Sequence, residues 1–262
     1  MAVRSFRFVS FVAALVGAAL CVSFATAENF RIETKVFASD QKEPASETTT
    51  LFQNGVVYDF LKVQKKPEQT AVFRKGNGDK SGQFILLDER HSMLTKISTE
   101  KVDGAMTKLK AWASRQKDPF LQFAANPEFD ESFDDGTGKL VLASHLESYN
   151  VDTMPCEHAD AMAEYKEFLD SYTELNTLLS SGSLPPGPRL RLNAVLVRRN
   201  VVPLKVELAR LGEDSLRAEH AFTWRLSQDD VKRIDAIRAN LSAYREVSNE
   251  VFIRDTKPRG KK

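Results

Sequence analysis

One short segment contains side chains that are able to bind a metal ion or to attack a substrate. Cys156, Glu157, His158 and Asp160 lie close together in the sequence. A zinc site needs three or four ligands at recognisable spacings, and the chain has no second Cys-x-x-Cys or His-x-x-x-His pair to complete one. A thiol nucleophile needs a histidine nearby in space, for which the other candidates are His91, His145 and His220. We interpret the segment as a helix start that carries a thiol, and we predict no catalytic, cofactor-binding or metal site.

A second segment has the composition of a calcium-binding loop. Acidic side chains accumulate ahead of Gly136, namely Glu128, Asp130, Glu131, Asp134 and Asp135. Calcium loops alternate their oxygen ligands, and here Phe133 occupies a ligand position, so a solvated strand edge is the better interpretation. The glycosylation sequon at Asn240 falls inside a predicted helix and is discounted. The sequence contains no phosphate loop, dinucleotide fingerprint, nucleophile elbow or HExxH motif.

A third segment, residues 216–226, alternates between apolar and polar side chains. This period of two predicts a strand with one face directed inward. His220 shares that face with Phe222 and Trp224, so it points either into a packed core, held by a hydrogen bond, or into a cavity. If a cavity is present, the candidate ligand-binding residues are Leu216, His220, Phe222 and Trp224. The alternation is the same whether the face meets a helix or a ligand.

Residues 1–27 have the three parts of a secretory signal peptide. Arg4 and Arg7 precede an apolar run, and Ala25-Thr26-Ala27 fits a signal peptidase site. We predict cleavage after Ala27 and an exported protein, periplasmic or secreted, with no transmembrane segment after cleavage. The alternative is an uncleaved membrane anchor, for which the run is short and rich in alanine. Lipidation at Cys21 is disfavoured because Leu20 precedes it, where the lipoprotein peptidase needs a small residue.

The charge and the cysteine content exclude some partners and some modes of stabilisation. Cleavage removes two arginines from the 37 basic residues and none of the 36 acidic ones, so the net charge changes from +1 to about −1. Nucleic-acid binding needs a strong basic excess, and only the tail at 254–262, predicted to be disordered, has one. Cys156 is then the sole cysteine, so an internal disulfide is impossible.

The elements that position these segments predict a single α+β domain over residues 28–253. An antiparallel meander fills the first third, with a hairpin at Asn54-Gly55, and we expect a curved, half-barrel-like antiparallel sheet of about nine to ten strands. Three to four helices cover it, at about 98–114, 156–179, 189–199 and from Ser227 to Val251. Residues 118–127 are expected to be irregular and 139–149 one strand. The Gly/Pro-rich stretch at 180–188 breaks the chain between two helices.

An exported chain with a long meander resembles the Lol-type outer-membrane lipoprotein carriers. The segments that carry this resemblance include Val56-Val57-Tyr58-Asp59-Phe60 and Lys139-Leu140-Val141-Leu142. That resemblance implies a half-barrel whose concave apolar face is covered by helices. The chain also resembles exported proteins of uncharacterised function, which implies no activity.

Two classes of function therefore remain, with an enzyme of unknown type in third place. In the first, an exported carrier binds a lipid or an acylated protein between a curved apolar sheet face and its covering helices. In the second, the helices pack that face completely and the protein is an envelope interaction or scaffold module without a ligand. No cofactor is expected in either class. The oligomeric state is not predicted by the sequence.

Overall fold

A computed structural model describes residues 29–38, 41–78, 80–180 and 182–256 of the chain. The predicted signal peptide at 1–27 lies outside the described residues, so both cleavage after Ala27 and export stay predictions. Of the predicted disordered tail, the first three residues belong to a helix that ends at Thr256, and the rest lies outside the described part.

The fold is α+β and is built on a curved, unclosed sheet of 12 strands. The first meander consists of β1 (Phe30–Ala38), β2 (Ser46–Gln53), β3 (Val56–Val63), β4 (Gln69–Arg74), β5 (Gln83–Asp88) and β6 (Met93–Ser98). The second consists of β7 (Asp130–Asp134), β8 (Lys139–Ala143), β9 (Glu147–Pro155), β10 (Val201–Arg210) and β11 (Leu216–Thr223). β1 pairs with β11 and joins the two meanders, and β12 (Arg245–Glu246) extends the edge at β6. All neighbours are antiparallel except β12 and β6.

Turn chemistry and alternation explain the first meander. Asn54 and Gly55 both have positive φ, 53° and 73°, as the tight turn between β2 and β3 requires. Leu51 and Phe52 are adjacent and fully buried, which means that both faces of this part of the sheet are covered. We call the face that carries Phe52 the inner face and the face that carries Leu51 the outer face.

Six α-helices lie in the described part of the chain: α1 (Thr99–Ala113), α2 (Pro119–Ala125), α3 (Ala159–Leu179), α4 (Gly187–Arg199), α5 (Gln228–Asn240) and α6 (Asn249–Thr256). α1 and α3 cover the inner face of the first meander, and α5 covers its outer face through Ile234 and Ile237. α4 packs Leu192, Val195 and Leu196 on the second meander. None of the described helices has the length and the apolar character needed to cross a membrane.

The expected strand count of nine to ten was wrong, because two pairings are not evident from alternation. Residues 139–149 form two strands, since the Ser144 hydroxyl accepts hydrogen bonds from the amides of Leu146 and Glu147 and closes a tight turn. β9 then continues to Pro155, and α3 begins at Ala159, whereas the sequence had predicted a helix start at about Cys156. β12 is the other addition, and it is held by long-range contacts with β6.

The expected helix count of three to four was also wrong. The apolar spacing from Ser227 to Val251 predicted one helix, yet the chain leaves the helix after Asn240 to pair with β6 and then forms α6. The Thr95 hydroxyl, from β6, lies within hydrogen-bond distance of both the Val247 carbonyl and the Asn249 side chain, which favours this exit. α2 occupies the segment expected to be irregular, and Asp118 caps it ahead of Pro119.

Candidate functional site

The contact between α3 and the inner face of the sheet is rich in aromatic side chains. Phe30 and Phe52 stack with their ring centroids 4.0 Å apart, and Phe168 of α3 meets Phe52 edge to face at 5.8 Å. The other aromatic members of the cluster are Phe73, Phe84, Tyr165, Tyr172, Phe222 and Trp224. Aromatic rings bury a large apolar area and tolerate several relative orientations, so this contact holds much of the helix against the sheet.

The sequence-predicted ligand-binding residues divide between this contact and the rim of the sheet. Phe222 lies against Tyr165 of α3, with ring centroids 5.5 Å apart, and Trp224 stacks on His158 at 4.3 Å. His220 lies on the same face. Leu216, by contrast, is 42% exposed at the far end of β11 and lines a cleft of about 490 Å³ beside Leu208 and Arg217. That His220, Phe222 and Trp224 bind a ligand stays a prediction.

His220 is a buried polar group with an incomplete set of hydrogen bonds. Its Nδ1 atom lies 2.9 Å from the Thr34 hydroxyl on β1. Although the residue is partly exposed as a whole, Nε2 is shielded from solvent and has no hydrogen-bond partner among the described residues. Burial, with a smaller contribution from the positive charge of Arg189, lowers the pKa of His220 to about 3. The imidazole is therefore neutral at physiological pH.

Asp59 is a second buried polar group under α3. It is 1% exposed, and it accepts a 2.7 Å hydrogen bond from the Thr50 hydroxyl on the neighbouring strand. The Tyr172 hydroxyl of α3 lies beside the carboxyl, but Oδ2 receives no well-aligned hydrogen bond within the described part of the chain. Burial raises the pKa of Asp59 to about 6, against the lowering effect of these two hydroxyls.

Carboxyl groups also meet where α3 contacts α1. Burial, together with the neighbouring carboxylates of Asp103 on α1 and Asp170 on α3, raises the pKa of Glu174 to about 7. Asp170 in turn accepts a 2.8 Å hydrogen bond from Asn193 of α4 and pairs with Lys166. The side of α3 that faces its neighbours therefore combines aromatic rings with several ionisable groups.

A polar cleft of about 430 Å³ opens beside this contact, between the second half of α3, the Gly/Pro-rich break and strands β9 and β10. Its main polar lining is Glu147, Tyr149, Thr173, Thr177, Arg189 and Arg210. The Glu147 carboxylate binds Arg210 at 2.8 Å, and Glu213 binds the same guanidinium at 2.8 Å, so the charge of Arg210 is neutralised.

Arg189 is the uncompensated cation of the cleft. Its Nε donates to the Asn193 side chain at 3.1 Å, and its guanidinium forms no ion pair among the residues that the structure describes. Its charge lowers the pKa values of Tyr165 and His220, against the dominant effect of burial at Tyr165 and in addition to burial at His220. The positive charge of Arg189, in the polar cleft, therefore acts on side chains of the aromatic contact.

The structure also shows the contacts of the other sequence-predicted clusters. Cys156 is 3% exposed, follows β9, and directs its thiol to the carbonyl of His158 at 3.4 Å. Glu131 of the acidic run binds Arg198 and Arg199 of α4. In the described residues, no group of three or more His, Cys, Asp or Glu side chains is arranged to hold a metal ion.

Sequence reasoning missed Asp59, Glu174 and Arg189. For Asp59 there was a signal, since an acid inside the apolar run Val56-Val57-Tyr58-Asp59-Phe60 shares the face of Val57. For Arg189 there was none, because an arginine that follows a Pro-rich break is an ordinary surface residue until the fold places β9 beside it. No protein-family model and no curated protein sequence matches this chain, so its function is argued from these contacts.

Proposed function

We propose that the protein is an exported carrier that binds an amphipathic ligand between the inner face of the sheet and α3. The ligand consists of an apolar acyl chain and an anionic head group. A free fatty acid or an anionic lipid presents both parts of this chemistry, whereas an acylated protein presents the acyl chain alone. The observation that carries the proposal is the presence of incompletely bonded polar atoms, at Asp59 and His220, within an otherwise aromatic contact.

A permanent core rarely contains such atoms. A buried polar group that lacks a hydrogen bond destabilises the folded state by about 1–3 kcal/mol, and native proteins satisfy nearly all of them. Asp59 lies beside Tyr172 of α3, and His220 shares a strand face with Phe222, which contacts Tyr165 of the same helix. A contact weakened in this way is easier to separate than one in which every buried polar atom is hydrogen-bonded.

The chemistry along the inner face matches an amphipathic ligand. An acyl chain that enters between α3 and β11 exchanges the contacts of Phe222 and Trp224 with the helix for contacts with methylene groups, at little change in apolar burial. The unpaired guanidinium of Arg189 lies beside this path and is suited to bind a carboxylate or a phosphate. The Asn193 side chain, itself bound to Asp170, holds that guanidinium in position.

The scaffold class is favoured by a different observation. Tyr165 and His158 already contact Phe222 and Trp224, so the face is filled in this structure. In that case the inner face is simply a core, and the protein acts through its surface.

Ligand titration separates the two classes. Purified protein with Trp112 replaced by Phe emits from Trp224 alone, and it is titrated with palmitate and with methyl palmitate. A carrier gives a saturable shift with both ligands, and Arg189→Gln weakens palmitate binding about tenfold or more while methyl palmitate is unaffected, because only the carboxylate meets the guanidinium. Arg191→Gln, on the same helix, is the matched control and changes neither affinity.

The absence of a saturable response to either ligand rejects the carrier and leaves the scaffold class. Native mass spectrometry of protein taken from its own compartment gives an independent measurement, since a carrier retains a co-purified lipid or acyl group.

A further inference from the structure

The corner formed by α1 and α2 presents an exposed surface of unusual chemistry. α1 buries Val102, Met106 and Ala113 against the sheet side. On its exposed side Lys108 and Trp112 lie four residues apart, Arg115 follows in the turn after the helix, and all three side chains are exposed. Trp112 is 50% exposed, which makes it one of the few large apolar side chains in the described residues that solvent reaches to this extent.

Charge around Trp112 is of one sign. Residues 104–117 contain Lys108, Lys110, Arg115 and Lys117 and no acidic residue, in a chain whose basic and acidic residues are otherwise nearly balanced. None of these four cations takes part in an ion pair within the described part of the chain. The next acid, Asp118, is turned toward the amides of Phe120 and Leu121, which it caps.

Side-chain hydrogen bonds hold the corner between α1 and α2, so the backbone positions that carry these side chains are fixed relative to one another. The Gln122 side chain of α2 donates to the carbonyl of Gln116 at 2.6 Å, and Asn126 donates to the Ser114 hydroxyl at 3.0 Å. The Arg115 Nε donates to the carbonyl of Ala111 at 2.8 Å, which closes the end of α1 and leaves the guanidinium charge at the surface.

We propose that this α1–α2 corner docks on the surface of an anionic phospholipid bilayer. Tryptophan favours the interface between water and lipid because its ring is apolar and its indole N–H is polar. Each Lys or Arg near an anionic bilayer strengthens binding about fivefold, and the effect decays within the Debye length. One exposed indole beside Lys108 and Arg115, with Lys110 and Lys117 near it in the sequence, combines both contributions at one corner of the fold.

This surface lies outside the ligand contact described above, so docking does not depend on the carrier proposal. The two are compatible, since a bilayer is a source and a destination of acyl chains. An acidic protein offers the same charge complementarity, but it gives no reason for an exposed indole at the centre of the cationic surface.

Vesicle co-sedimentation tests the proposal with purified protein and phosphatidylcholine vesicles, with and without phosphatidylglycerol. We expect binding to the anionic vesicles only, weakening as salt is raised, together with a blue shift of the tryptophan emission that Trp112→Ala abolishes. Lys108→Glu combined with Arg115→Glu should reduce the affinity about thirtyfold or more, because loss of two positive charges alone accounts for that factor, and Trp112→Ala should reduce it severalfold at every salt concentration. Lys65→Glu combined with Lys66→Glu, on the exposed turn after β3, makes the same change in net charge and should have a much smaller effect.

Circular dichroism confirms that each variant is folded before binding is compared. Equal loss in the Lys65/Lys66 control, equal binding to neutral vesicles, or no binding by the unsubstituted protein would overturn the proposal. Capture of an acidic protein by this corner, without any vesicle binding, would overturn it as well. Arg189→Gln should leave vesicle binding intact, so failure of the carrier proposal and failure of this one are distinguishable.

Discussion

Replacement of Asp59 by asparagine changes the ionisation of the α3 contact with almost no change in shape. The oxygen of the new side-chain amide can still accept the hydrogen bond from Thr50, and the amide nitrogen takes the place of Oδ2 beside the Tyr172 hydroxyl. The amide carries no charge at any pH. The variant therefore isolates the free energy that ionisation of this carboxyl contributes to folding.

The magnitude follows from the pKa of Asp59. Burial raises it from 3.8 in the unfolded chain to about 6, and each pH unit of difference corresponds to about 1.4 kcal/mol. A raised carboxyl pKa means that the folded state binds the proton more tightly, so this contribution is fully present below pH 3.8 and is lost as the pH rises through 6. At pH 4 part of this contribution is already lost, so at pH 8 the buried carboxylate destabilises the fold by about 2 kcal/mol relative to pH 4.

Urea unfolding at pH 4.5 and pH 8 measures this difference. We expect Asp59→Asn to resemble the unsubstituted protein at pH 4.5 and to exceed its free energy of unfolding by about 2–3 kcal/mol at pH 8. Asp152→Asn, on an exposed position of β9, controls for the general effect of removing an acid. If Asp59→Asn changes the stability equally at both pH values, or lowers it at pH 8, the carboxyl is not an unfavourable buried charge and the argument for a weakened α3 contact falls with it.

Three further substitutions test how backbone approach and the buried thiol contribute to stability. Gly187→Ala should lower the free energy of unfolding by about 2 kcal/mol or more, because the new Cβ would lie 2.3 Å from the carbonyl oxygen of Ala124. Gly104→Ala places its Cβ in open space on α1 and should raise the free energy of unfolding by up to about 1 kcal/mol. Equal effects of the two substitutions in thermal unfolding would refute the close approach at Gly187. Cys156→Ser should lower the free energy of unfolding by only about 1 kcal/mol, because the serine hydroxyl can still donate to the carbonyl of His158. Stoichiometric zinc that is lost with this substitution would show that the thiol is a metal ligand.

Elements with strong local signals were predictable. The Asn54-Gly55 turn needs positive φ at both residues, and Ser98 caps α1, so both follow from residues adjacent in sequence. The same holds for the capping box at Ser227 and Asp230, which starts α5. The α+β class and the antiparallel sheet followed from the periodicity of these segments.

Elements decided by distant partners were not predictable. The end of α5 and the pairing of β12 depend on Thr95, which is far from Val247 and Asn249 in the sequence. The apolar spacing from Ser227 to Val251 is compatible with a continuous helix, and only the competing bonds to β6 make the break favourable. The turn at Ser144 is local, but its single hydroxyl gives a weaker signal than a glycine pair.

For the candidate site, the sequence by itself determined which side chains share a face, because alternation in β11 places His220, Phe222 and Trp224 together whatever covers them. It could not determine what covers them. The packing of α3 and α4 on the sheet decides three features of the site. It brings Tyr165 and Trp224 into one contact, it places the carboxyl of Asp59 beside Tyr172, and it leaves Arg189 without an ion pair in the described part of the chain. The physical reason is that periodicity is a property of neighbouring residues, whereas burial, desolvation and charge pairing depend on atoms that only the tertiary structure brings together.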